Sequence, residues 1–155
     1  MDKIVETNKK IISIPPAYFC ACILFNVGTL FIPNLKKVIL FPANLLGILI
    51  MTGGLYLVSR THFLLKKCDT TETYSKSNCF VRMGLFKYSR NPMYLGGMIF
   101  LTGLSCLTGN IIGFISPIFF FFIINLMFIP YEEEKMKTEF GQEYLDYKSK
   151  VRRWI

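Results

Sequence analysis

NIIGFISPIFFFFIINLMFIPY, residues 110–131, runs for 22 positions without a charged side chain. A helix of ~20 apolar residues is what a ~30 Å hydrocarbon layer requires. Three further apolar stretches lie upstream, at about residues 11–33, 38–59 and 92–108. The first two are joined by Asn34-Leu35-Lys36-Lys37, the last two by Thr108-Gly109-Asn110, and links this short imply antiparallel helical hairpins. The composition agrees: 52% of the residues are hydrophobic and the mean hydropathy is +0.42, an apolar excess that a single domain of 155 residues cannot bury, so it must face lipid. The expected fold is all-α: one polytopic membrane domain over residues 1–155, with four transmembrane helices and an amphipathic carboxy-terminal helix.

Charge gives the orientation. With four crossings, residues 1–10, 60–91 and 132–155 share one side, and they carry 16 of the 18 lysines and arginines. Only Lys36 and Lys37 fall on the other. The positive-inside rule then puts both termini and the 60–91 loop in the cytoplasm, with the protein in the inner membrane if the cell is prokaryotic. The net charge of +8 reads as topology and attraction to anionic membrane lipids, and no nucleic-acid partner is expected.

The five cysteines (Cys20, Cys22, Cys68, Cys79, Cys106) form no CxxC pair, and His62 is the only histidine, so no metal site is expected. Cys20 and Cys22 read as small buried hydrophobes. Lys9 and Lys10 before an apolar run imitate a signal peptide, but the run is too long and is kept as a mature helix. Pro117 should kink the fourth helix. Gly109 and Gly113 have the GxxxG spacing of close helix packing, and Asn125 should hydrogen-bond to another helix. In the tail, Met136, Phe140, Tyr144, Tyr147, Val151 and Trp154 recur at steps of three and four, one apolar stripe on a helix.

Two places carry candidate chemistry. At Arg90-Asn91-Pro92 the third helix opens: Asn91 suits the N-cap, Pro92 the first helical position, and Arg90 adds a charge beside the positive end of the helix dipole. That suits a carboxylate or phosphate; the plain alternative is an arginine anchored at the headgroups. At Glu132-Glu133-Glu134, helical counting places Glu133 four before Lys137 as an exposed ion pair, whereas Glu132 shares the face of Met136 and Phe140. A carboxylate aimed into a membrane bundle is expensive, which marks Glu132 as functional.

The run VRMGLFKYSRNPMYLG (81–96) resembles the pattern V-x-x-G-x-Y/F-x-x-x-R-H/N-P-x-Y-x-G of the isoprenylcysteine carboxyl methyltransferase and phospholipid N-methyltransferase group. The tail, with Glu132-Glu133, Phe140-Gly141, Glu143-Tyr144, Tyr147 and Arg153-Trp154-Ile155, is similar to that group's second motif. The resemblance spans roughly residues 76–155. It implies a membrane enzyme that binds S-adenosylmethionine on the cytoplasmic side and methylates a lipophilic substrate, most like an isoprenylcysteine carboxyl O-methyltransferase, with phospholipid N-methylation as the alternative. It makes Arg90 and Glu133 the catalytic candidates, and Arg90, Asn91, Pro92, Tyr94, Gly96 and Glu132 the cofactor-binding set. Asn91 stands where most members have histidine. Arg90 at the helix opening suits the donor's carboxylate, and Glu132 its ribose hydroxyls. A carboxylate acceptor would need no base, whereas an amine would. Two rivals remain: a non-catalytic lipid-binding protein, and an NADPH-dependent sterol reductase, whose motif is broken here by Met93 and Gly97.

Overall fold

The computed structural model describes residues 15–33, 35–68 and 80–155. Its elements are α1 (Pro15–Gly28), continued by a 3-10 turn at Thr29–Phe31; α2 (Leu46–Cys68), entered through a 3-10 turn at Ala43–Leu45; and α3 (Pro92–Thr108). A 3-10 turn at Ile111–Phe114 leads into α4 (Ile115–Ile123), a π-helical turn follows at Ile124–Phe128, and α5 (Ile129–Lys150) ends the helical chain. Among the described residues there is no strand, only an isolated bridge between Lys37 and Asn110.

Two helical runs are long and apolar enough to cross a membrane, Ala43–Lys67 and Ile111–Lys150. The other two apolar helices, Pro15–Phe31 and Pro92–Thr108, are shorter. The third expected stretch coincides with α3. The second shifts from 38–59 to a helix ending at Cys68. Its entry is displaced because Val38 and Ile39 donate their N–H groups to Gly109 O (2.7 and 3.0 Å), holding the chain in a turn before Pro42. Its end runs on because a helix needs no apolar residues to continue, and Lys66 and Lys67 in the last turn complement its dipole. The fourth stretch does not stop at Tyr131 but passes directly into the tail. Lys9, Lys10 and Cys79 lie outside the described residues.

Close packing is made by glycines other than the expected pair. Gly109 (φ 74) caps α3 in the left-handed conformation and Gly113 sits in a 3-10 turn, so neither forms a helix–helix seam. The seam joins α2 to α3, where Gly47 meets Gly103 and Gly54 meets Gly96. A Cβ on Gly47 would lie 2.5 Å from Gly103 O, and one on Gly54 would lie 2.6 Å from Gly96 O. Each helix spaces its two glycines seven apart, two turns, so the backbones touch along one line.

Pro117 makes no interior kink. It sits in the first turn of α4, where its missing N–H has no helical partner to lose. The irregularity falls instead at the π turn that contains Asn125. Cys22 is buried as expected, but Cys20, two residues and some 200° away, is exposed. Around Cys22 the core gathers Leu101, Phe120, Ile124, Phe128 and Ile129. At the far end of α3, the fully buried Asn26 donates to Ser105 Oγ (2.7 Å), Ser116 Oγ (2.8 Å) and Gly113 O (3.1 Å) and accepts from Thr108 Oγ1 (3.2 Å). One amide thereby fastens α1 to α3 and to the start of α4.

Candidate functional site

The tail is not one straight helix. Gly141 adopts φ 53, ψ −126, a combination open essentially to glycine alone, and breaks α5 there. Trp154 follows Phe121 by 33 positions, and an unbroken helix would carry it about 50 Å away at ~1.5 Å per residue. Instead the two ring centroids are 5.3 Å apart. The apolar stripe therefore belongs to two helical pieces folded against each other, with Phe140 and Tyr144 meeting at Phe80 (5.2 and 5.8 Å between centroids). Asn125, half-buried on its π turn, receives the returning chain: its Oδ1 accepts from Trp154 Nε1 (3.2 Å) and Arg153 Nη1 (3.3 Å).

This return brings the two signature blocks together. Arg90 N–H donates to Arg152 O (3.0 Å), and Asn91 Nδ2 to Arg153 O (3.0 Å). Asn91 thus precedes α3 without capping it through its side chain, which the tail carbonyl has claimed. Pro92 does occupy the first turn, as its fixed φ favours.

The expected exposed ion pair of Glu133 with Lys137 is overturned. Lys137 pairs instead with Glu134 at 3.8 Å. Glu133 is buried and accepts from Lys148 (2.8 Å) and Arg153 (Nε 3.0 Å, Nη2 3.2 Å), with Arg90 Nη1 at 3.1 Å. Burial works to raise its pKa, but the hydrogen bonds from Arg153 and Lys148 and the charge of Arg90 outweigh it and hold the carboxyl below its usual range. One carboxylate facing three cations leaves this cluster with excess positive charge. Arg90 also reaches Tyr144 Oη (3.4 Å), while its Nε is buried without a hydrogen-bond partner.

Glu132 faces inward, as its spacing predicts. Tyr94 Oη donates to its Oε1 at 2.6 Å. Burial pushes the Glu132 pKa up, offset in part by the Tyr94 hydrogen bond and the charge of Lys135. Glu132 and Glu133 both line a cavity of about 350 Å³, within the usual range of ligand sites. Arg90, Asn91, Pro92 and Tyr94 line the same cavity. Leu65, Phe80, Val81, Met93 and Met136 supply its apolar part. Gly96 is not on the wall: its missing side chain admits Gly54 O. Sequence reasoning overlooked Lys148 and Arg153 as partners of Glu133. The signal available was Gly141, an isolated glycine inside a periodic stripe, which marks a break.

The phospholipid methyltransferase family model matches residues 42–143, about two-thirds of the chain. An uncharacterized protein of Haemophilus influenzae (strain ATCC 51907 / DSM 11121 / KW20 / Rd) is 38% identical over 63 residues, which is 41% of this chain and 100% of that protein. No solved structure matches.

Proposed function

We propose, on the premise that this chain belongs to the phospholipid methyltransferase family, that it uses S-adenosylmethionine to methylate a lipid-borne acceptor reaching the cavity from the membrane. The observation that carries this reading is one cavity lined by both charges: the cation-rich cluster around Arg90 and the Tyr94–Glu132 pair. S-adenosylmethionine combines a carboxylate, a sulfonium cation and a ribose diol, and these groups find complements here. Arg90, whose buried Nε lacks a partner, would hold the carboxylate. Glu132, with Tyr94 on one oxygen, would use the other on the ribose hydroxyls. When bound, the donor supplies a methyl group on an electron-poor sulfur. The chain's own part is to hold the reactants in line and keep water out, and the apolar wall suits it to that.

Between acceptors, the acidic wall favours an amine. An ammonium group is drawn to the Glu132 charge, whose carboxylate would take the proton that the nitrogen must lose before it attacks the methyl group, and a carboxylate acceptor is repelled by it. Phosphatidylethanolamine-type N-methylation therefore ranks first and isoprenylcysteine carboxyl O-methylation second. We read the chain as crossing the bilayer four times with cytoplasmic termini, which the 16-to-2 division of basic residues supports.

The test is incubation of the purified protein with a membrane lipid extract and methyl-labelled S-adenosylmethionine, with mass identification of the labelled lipid. Label in an ethanolamine phospholipid is expected, and label in an isoprenylated cysteine would reverse the ranking. Donor binding with no labelled lipid from any extract would favour a non-catalytic protein.

A further inference from the structure

The segment that follows the break at Gly141 does more than close the fold. Arg153 stands at a junction of four attachments. Its guanidinium grips both oxygens of Glu133 (3.0 and 3.2 Å) and touches Asn125 Oδ1 (3.3 Å). Its carbonyl oxygen accepts from Asn91 Nδ2 (3.0 Å) and Ser89 Oγ (3.4 Å). The residues on either side of Arg90 therefore hang from the backbone of Arg153, and the carboxylate that faces Arg90 is gripped by its side chain. Among the described residues, Glu133 and Tyr144 are what orient the Arg90 guanidinium.

We infer that Arg153 is a positioning residue for donor binding: by fixing the Glu133 carboxylate, it sets the direction in which Arg90 presents its guanidinium to the donor's carboxylate. Two parallel N–H···O contacts fix a carboxylate plane, as a single ammonium contact does not. Lys148, the other cation on Glu133, is a flexible point charge and does not supply that constraint.

This inference rests on the assignment of Arg90 to the donor carboxylate, and the experiment separates the two. Equilibrium binding of S-adenosylhomocysteine and of 5′-methylthioadenosine is measured in detergent for the wild-type chain and for Arg90→Ala, Arg153→Ala, Arg153→Lys, Glu133→Gln and the double variant Arg153→Ala/Glu133→Gln. Methylthioadenosine keeps the nucleoside and thioether but has no carboxylate. Arg153→Ala should weaken S-adenosylhomocysteine by about tenfold or more, Arg153→Lys should recover part of that, and the double variant should be no worse than the weaker single one. Methylthioadenosine should bind all of them alike. Should Arg153→Ala fail to fold, the lysine variant decides on the same criterion. Equal loss for both ligands, or additive effects in the double variant, would reduce Arg153 to a general brace and overturn the inference. If Arg90→Ala selectively weakens S-adenosylhomocysteine while both Arg153 variants are silent, the inference alone fails. If the wild-type chain binds neither ligand, the donor assignment and the inference fall together.

Discussion

Replacing Gly54 with alanine adds one methyl group where the structure has no room for it. The new Cβ would stand 2.5 Å from Phe100 N, 2.6 Å from Gly96 O and 2.9 Å from Phe100 Cα. Non-bonded carbon prefers about 3.5–4.0 Å, so α2 and α3 must part by about 1 Å. All three obstacles are backbone, and no rotamer change relieves them. Overpacking of this kind costs about 1–3 kcal/mol. The neighbouring residue is the control. A Cβ on Gly53 meets nothing within 4 Å, and glycine to alanine in a helix gains roughly 0.5–1 kcal/mol. Two adjacent, chemically identical substitutions should thus differ by at least about 1.5 kcal/mol. At about 2–4 °C per kcal/mol for a chain of this size, that is a gap of about 3 °C or more in thermal unfolding in detergent, Gly53→Ala above wild type and Gly54→Ala below it. The seam also lies beside the cavity, since Gly96 is two residues from Tyr94 and Gly54 seven from Thr61. Gly54→Ala should therefore weaken donor binding and Gly53→Ala should not. Equal melting temperatures for the two variants would refute the backbone contact on which this reasoning depends.

Glu132→Gln should weaken S-adenosylmethionine at least about tenfold by calorimetry, the loss of a charged hydrogen-bond partner, while Glu134→Gln, on the exposed face, should be silent. Burial raises the Glu132 pKa, so its contribution to stability is present below the ordinary carboxylate value and lost as pH rises through the raised folded value. Glu132→Gln should consequently melt no lower than wild type at neutral pH even as it binds worse. Glu133 has the opposite sign: its stabilisation is present above the ordinary value and lost as pH falls through the lowered folded one, so melting curves of Glu133→Gln should lose that part of the acid dependence. Gly141→Ala should cost about 1–3 kcal/mol for its disallowed backbone. It should also shift the emission of Trp154, the single tryptophan, to the red as the ring leaves Phe121.

What could be read from the sequence was whatever depends on neighbours along one helix. Glu132, four before Met136, was placed on the inward face by counting, and α3 was bounded by Pro92 and Gly109, the residues that open and close helices. Whatever depends on where a distant segment returns stayed hidden. Glu133 looked solvated because its partners, Lys148 and Arg153, arrive only through the reversal at Gly141. The contact seam escaped because Gly47 and Gly54 find their partners on another helix, so spacing within one chain segment could not expose it. Gly96 illustrates the ambiguity of a motif: it belongs to the signature, yet it serves the approach of α2. The π turn likewise leaves no mark in an apolar stretch, because adding one residue to a turn changes no residue type.

Asn26 has a mechanical consequence. Its side chain ties α1, α3 and the entrance of α4 at a point about 20 Å along α3 from Pro92, at ~1.5 Å per residue. Each bond there is matched and buried, so that end resists deformation. The opposite end is held by ion pairs around a hollow. The helices are therefore built like tongs, with the pivot at Asn26 and the tips at Tyr94 and Glu132.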